Sequence, residues 1–404
     1  MSKGRKKLVF GVVTVLVVGL LGVYYTSSQL PGGMHFNKPH EKKTAEGGEK
    51  QNHSVAMNDD KQQRVESEEN NVDVQLSHHG RTTTAEPVNL DPMQQAASAI
   101  RTSYIPPSYR FSTELYFHPP SSNRPLNLPQ LLHNPSDACS GEKGNETFLV
   151  VLVLSSYLDN GATERQAIRS TYGSVARGQR WPTKSIAAPV SLVFVLGRPP
   201  PGVQQLIVQQ EVKKHGDLVV ADFVDSYQNL TLKVLVGLDW ARHHCPQASF
   251  ILKTDDDTFV NLPLLTTFLL QRGRNNSLYG HPYFASEVAR KGRWAVPQSA
   301  FPFPVYPVYM SGTGYVVSKD AAEKIVEASK NVPLIPIEDA YVTGILAQIG
   351  QIRRMFCSGF THHTEGKPVL CDFMLDKRLV GNGMPAVEKT SMWALLRIND
   401  RRLC

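Results

Sequence analysis

Two acidic groupings carry the residue types that a chemical step needs. Asp255, Asp256 and Asp257 follow the apolar run 249–253 after Thr254 and lead into Thr-Phe-Val-Asn261. Adjoining carboxylates repel one another, so a partly buried triplet needs a cation or strong hydrogen-bond donors beside it, and a divalent metal is the economical answer. In extended backbone, Asp255 and Asp257 project to one side, suited to a metal or its waters and a ribose, and Asp256 to the other. The structural alternative is an acidic turn ahead of a helix capped by Asn261, with Pro263 in its first turn, and the two readings are compatible. The second grouping is Glu338-Asp339, which opens an apolar helical stretch running to Ile349. Its carboxylates either complement the helix dipole or include a general base, a role that contributes ~10²–10⁴ in rate. Between the groupings, Gly312 and Gly314 sit in an aromatic segment, 306–318, where they allow a ligand near the backbone or simply make a turn.

The elements that must position these groups alternate in type. Runs 147–154, 190–196, 218–223 and 249–253 are short, apolar and rich in β-branched residues, which predicts buried strands. Segments 162–171, 204–214 and 230–243 predict helices, the last with Leu230, Val234, Leu238 and Ala241 on one face. Strands alternating with helices imply parallel crossovers and an α/β sheet covered on both faces, with the active site at the carboxyl ends of the strands. The triplet begins where the fourth strand ends.

The amino terminus sets the expected compartment. Lys3, Arg5, Lys6 and Lys7 precede an uncharged stretch from 8 to 25, which as a helix would span roughly 27 Å of hydrocarbon. The expected order is a cytosolic tail (1–7), a transmembrane signal-anchor (8–25), a flexible stem (26–137) and a folded lumenal domain (138–404); a cleaved secretory signal is the alternative. The stem assignment rests on a polar, Pro-punctuated composition too poor in apolar residues to offset the cost of ordering. N-glycosylation sequons at Asn52, Asn145, Asn229 and Asn275, together with five cysteines, suit an oxidising space, and the odd count leaves one cysteine free or paired between chains. The chain has 404 residues, 41% hydrophobic, with a net charge of +7. That composition excludes wholesale disorder, and the scattered Lys and Arg form no stripe that would mark a nucleic-acid binder.

Taken in order, the motifs resemble a known family. Glu164-Arg165-x-x-Ile168-Arg169-x-Thr171, Phe194-x-Leu196-Gly197, Asp222-Phe-x-Asp225-x-Tyr227-x-Asn229-Leu-Thr-x-Lys233, Lys253-x-Asp-Asp-Asp257-x-Phe-Val-Asn261, Tyr306-Pro-x-Tyr-x-x-Gly312-x-Gly-Tyr315 and Glu338-Asp339-x-Tyr341 are similar to the β1,3-glycosyltransferases of glycosyltransferase family 31. The resemblance covers 148–371. It implies a GT-A (Rossmann-like) fold, a UDP-sugar donor, inversion at the anomeric carbon, a divalent cation (usually manganese) and a type II Golgi membrane protein. By the same resemblance, Asp255 and Asp257 belong to the metal site, with Asp257 the expected direct ligand and His362 completing it (His363 the fallback). Asp339 stands at the catalytic base, and Arg165, Arg169, Asp225, Lys233, Asp255 and Asp256 belong to the donor pocket. Glu338, if close, is expected to raise the base's pKa by like-charge repulsion. Tyr172, Ala340 and Met310 depart from the family pattern, and Met310 stands where many members have Cys, so Cys245 receives no partner from the resemblance. Asn229 belongs to a family motif, so a helix-cap role competes with its glycosylation.

Expected partners are UDP-galactose or, as the rival donor, UDP-GlcNAc, a glycan acceptor, the membrane and, as an open alternative, a second copy of the chain. Nucleic acid is not expected. The reading from another class is a non-catalytic membrane-anchored sugar- or calcium-binding module, against which the presence of both Asp257 and Asp339 argues. A phosphoryl-transfer reading lacks a GxxxxGK[ST] loop.

Overall fold

The computed structural model describes residues 90–107, 126–140, 146–157, 160–203, 205–361 and 366–404. The expected tail and signal-anchor, most of the stem, Asn52, Asn145, His362 and His363 lie outside the described residues, among which no helix is long and apolar enough to cross a membrane.

Four parallel strands form the centre: β3 (Leu149–Leu154), β4 (Val190–Arg198), β5 (Leu218–Val224) and β6 (Phe250–Asp255). They pair in the order β6-β3-β4-β5. All six residues of β3 are buried, as a continuous β-branched run requires of a strand covered on both faces. Val150, Leu152 and Leu154 face one core with helix α4 (Leu230–His244), while Leu149, Val151 and Val153 face the other with α2 (Gly161–Ser170) and α5 (Leu262–Arg272). The four strands and the helices α2, α3 (Gln205–His215) and α4 match their predicted positions to within about two residues. Helix α4 is buried nearly all round rather than on one face, and a Cβ at Gly237 would come within 3.1 Å of Leu152 and 3.2 Å of Val195. Glycine gives the helix room for this close approach to β3 and β4.

The sheet is mixed rather than parallel throughout, and among the described residues it has nine strands in the order β1-β12-β8-β11-β6-β3-β4-β5-β2. Strand β11 (Gly314–Ser318) runs antiparallel between β6 and β8 (Ser277–Gly280), and β12 (Arg353–Cys357) lies beside β8. The outer strands are β1 (Thr102–Ile105) on β12 and β2 (Leu131–His133) on β5. Both come from the segment whose composition predicts a stem, so the sheet reaches upstream of the expected boundary at 138. Their burial is slight, which is why apolar content does not betray them. Helix α1 (Pro92–Ala99), capped by the Asp91 side chain, packs Ala97 into the core beside α5.

Two disulfides brace the periphery. Cys139 pairs with Cys245, which therefore has a partner despite Met310, and Cys371 with Cys404; Cys357 is the buried free thiol. Later elements are α6 (Lys319–Ser329), a π-helix (Ala340–Leu346), α7 (Leu370–Met374) and α8 (Ala386–Ile398).

Candidate active site

Strand β6 delivers Asp255 to the carboxyl edge of the parallel sheet, and its neighbour β11 begins at Gly314 directly opposite Thr254. The turn before β11 thus sets Gly312 beside the triplet. Asp339 caps the π-helix: its Oδ1 accepts from Ala340 N at 2.8 Å while Oδ2 accepts from Gly312 N at 3.2 Å. A Cβ at Gly312 would lie 3.2 Å from that Oδ2, so the absent side chain is what allows the contact. One cavity of about 610 Å³ is lined by both Asp255 and Asp339, with Lys253, Glu338 and Gly312 between them. Tyr227, Tyr283, Tyr306, Tyr309 and Trp294 form its aromatic walls. The Trp294 indole N–H donates to the Tyr227 hydroxyl at 3.1 Å.

Lys253 joins the two acidic groupings. Its side chain is 1% exposed, and Nζ donates to Asp255 Oδ1 at 2.9 Å and to the Gly312 carbonyl, with Glu338 Oε2 at 3.2 Å. Glu338 also accepts from the Tyr315 hydroxyl at 2.6 Å. Burial first, and then the charge of Asp339, push the Glu338 carboxyl up to about 7 against the pull of Lys253. The Asp339 carboxyl is also raised, mainly by burial. Asp255 is a neighbouring charge that raises it, and the expected Glu338–Asp339 repulsion is present in the pair, raising Glu338, which is turned toward Lys253 and Tyr315.

The triplet divides its roles. Asp255 reaches the cavity, and Asp256 turns back to accept from Ser155 Oγ at 2.7 Å. Burial lifts the Asp256 carboxyl to about 6. Asp257 is exposed and does not line the cavity. Residues 256 and 257 form a turn, so the strict alternation expected of extended backbone stops where β6 stops. Desolvation and the neighbouring Asp255 raise the Asp257 carboxyl, a surplus of negative charge that a cation would relieve. Hard oxygen donors of this kind suit manganese, magnesium or calcium, so Asp255 and Asp257 fit a divalent ion. Among the described residues no three His, Cys, Asp or Glu side chains converge as a metal shell.

Four of the other expected donor-pocket residues come together at Ser155, the residue after β3. Arg165 Nη1 donates to Ser155 Oγ at 2.9 Å, and Lys233 Nζ to the Ser155 carbonyl at 2.6 Å. Lys233 also pairs with Asp225 at 3.0 Å, and Asp225 accepts from Gly197 N at 2.7 Å. Ser155 in turn holds Asp256. The Arg165 side chain is otherwise taken up by Glu211, at 2.8 and 2.6 Å, and the Ser156 carbonyl, at 2.7 Å, so these buried groups hold one another and, through Ser155, Asp256. Arg169 is not part of this set: it turns to Asp217 and Glu211. Helix α5 begins as expected, with Asn261 accepting from Leu264 N. Asn229 stands at the N-cap of α4 without a side-chain cap bond, and its amide donates to the Val224 carbonyl at 2.8 Å, whereas Asn275 is exposed.

Sequence reasoning missed Lys389. In α8 an isolated lysine reads as solvent-facing, yet its side chain is 0% exposed, pairs with Glu164 Oε2 at 2.6 Å and donates to the Asp256 carbonyl. With Met384 N on the Asp257 carbonyl at 2.7 Å, the carboxyl-terminal segment clamps the backbone of the triplet.

The galactosyltransferase family profile matches residues 163–358. Beta-1,3-galactosyltransferase 4 of Homo sapiens is 36% identical over 287 residues, covering 61% of this chain and 72% of that protein. The Rattus norvegicus protein of the same name is 33% identical over 321 residues, covering 70% and 82%. Beta-1,3-galactosyltransferase 5 of Homo sapiens is 38% identical over 200 residues, 48% of this chain, and the chain spans 61% of that protein's length. The chain belongs to the β1,3-glycosyltransferase family, whose members transfer a sugar from a nucleotide-sugar donor. The family profile ends before α8, so Lys389 lies beyond it.

Proposed function

We propose that the protein is an inverting hexosyltransferase that moves galactose from UDP-galactose, in β1,3 linkage, to a glycan acceptor, as a single-pass type II protein of the Golgi membrane. The observation that carries the reading is the single cavity of about 610 Å³ lined by both Asp255 and Asp339. The names of the similar proteins favour galactose over N-acetylglucosamine.

In this reading Asp255 and Asp257, with His362 as the resemblance suggests, would hold the divalent cation. The cation supplies charge neutralisation for the diphosphate leaving group. Asp339 takes the proton from the acceptor hydroxyl. Two backbone N–H groups fix its carboxylate, and burial raises its proton affinity, so it is a better base than a solvated aspartate. The hydroxyl attacks from the face opposite the leaving group, so one displacement inverts the centre and no covalent enzyme intermediate forms. Lys253 keeps the two carboxylate sets in register, and the aromatic walls offer apolar faces to sugar rings.

The test is a donor screen on the purified full chain with manganese and then with chelator, reading product linkage. Galactose transfer in β1,3 linkage that chelator abolishes supports the reading. N-acetylglucosamine transfer would replace the donor assignment, and turnover of neither nucleotide sugar would overturn the enzymatic one.

A further inference from the structure

A second large cavity lies away from the acidic groupings. It encloses about 770 Å³, and among the described residues its lining includes Arg169, Arg177, Arg180, Arg397, Trp181 and Trp393 and no carboxylate. It is built from the last turn of α2, the 3-10 turn Tyr172–Arg177 that follows, and α8. Asp217, which holds Arg169, immediately precedes β5, so the cavity sits toward the amino ends of the strands. Asp255 ends β6, at the opposite edge.

The charge in this cavity is only half compensated. Asp217 serves both Arg169 and Arg177, with Glu211 also on Arg169. Arg180 and Arg397 are exposed and make no ion pair or hydrogen bond among the described residues. Beneath them Trp181 and Trp393 pack edge to face, 5.0 Å between centroids, and are 4% and 8% exposed, so the aromatic floor is held in place.

We propose that this cavity binds an anionic saccharide, sulfated or carboxylated, at a site separate from the acidic cleft. Free guanidinium groups match the planar, bidentate demand of carboxylate and sulfate oxygens. The volume far exceeds a lone anion and admits sugar rings, and indole edges and faces at the floor suit the apolar side of a pyranose. The net charge of +7 favours the approach of such a ligand.

The experiment is calorimetric titration of the purified full chain with a heparin-derived tetrasaccharide, with inorganic sulfate and with neutral chitotetraose. The tetrasaccharide is expected to bind while chitotetraose does not. The double variant Arg180→Ala/Arg397→Ala is expected to raise its Kd at least ~10-fold, the scale of two lost charge-assisted contacts, with UDP binding and Tm unchanged. Equal affinity in the double variant overturns the site. Sulfate binding as tightly as the tetrasaccharide overturns the saccharide assignment, as does equal binding of chitotetraose.

Discussion

Replacing Lys253 by Met tests whether one buried amine holds the two acidic groupings together. The ammonium is 1% exposed and lies 2.9 Å from Asp255 and 3.2 Å from Glu338, which is itself 2% exposed at its side chain. Removing one partner of a buried pair costs about 3–5 kcal/mol when the other stays charged. Glu338 escapes part of that cost by taking up a proton, so the low end applies near neutrality: about 3 kcal/mol, or ~6–12 °C in Tm. The pH dependence carries the sharper signature. Glu338 titrates at about 7 in the folded chain, above its ordinary 4.5, so its favourable contribution is complete below pH 4.5 and is lost as pH rises through about 7. Without Lys253 its folded pKa rises further, and the loss continues past 7 at about 1.4 kcal/mol per pH unit. Thermal melts should therefore show wild type and Lys253→Met parallel from pH 5 to 7 and diverging above it, by about 2 kcal/mol at pH 8.5. Curves that stay parallel to pH 8.5, or a loss below about 1 kcal/mol throughout, would refute the bridge.

Other perturbations bear on separate parts of the site. Gly312→Ala sets a methyl 3.2 Å from Asp339 Oδ2 and should lower kcat while leaving the Kd for UDP unchanged, as steady-state kinetics and titration would show. Asp257→Ala should weaken manganese-dependent UDP binding; equal affinity in the presence of manganese would remove Asp257 from the ligand set. Lys389→Met leaves Glu164 and the Asp256 carbonyl without their shared donor and should cost about 3 kcal/mol or more in denaturant unfolding while raising the manganese requirement. Because burial raises the Asp339 carboxyl and the base must be ionised, the acid limb of kcat/KM should fall above the ordinary aspartate value of about 4.

Much of the sheet was legible because β3 to β6 are apolar, β-branched runs buried on both faces, a pattern that few other structures share. The triplet and the Glu338-Asp339 pair were legible because charge adjacent to an apolar run is costly without a purpose. Strands β1 and β2 were not, since short edge strands with exposed side chains look like linker. The burial of Arg165, Arg169 and Lys389 was hidden for a different reason. Their partners Glu211, Asp217 and Glu164 are 46, 48 and 225 residues away, and only the fold brings the pairs together. The burial and the Asp255 charge that raise Asp339 were hidden in the same way, since residues 255 and 339 meet only in the folded chain.

The most direct test of the account is Asp339→Asn, with β1,3-galactosyl transfer and manganese-dependent UDP binding measured on the same preparation. The account predicts transfer reduced by ~10²–10⁴ with UDP affinity retained. Transfer at the wild-type rate, or UDP binding lost together with transfer, would contradict it.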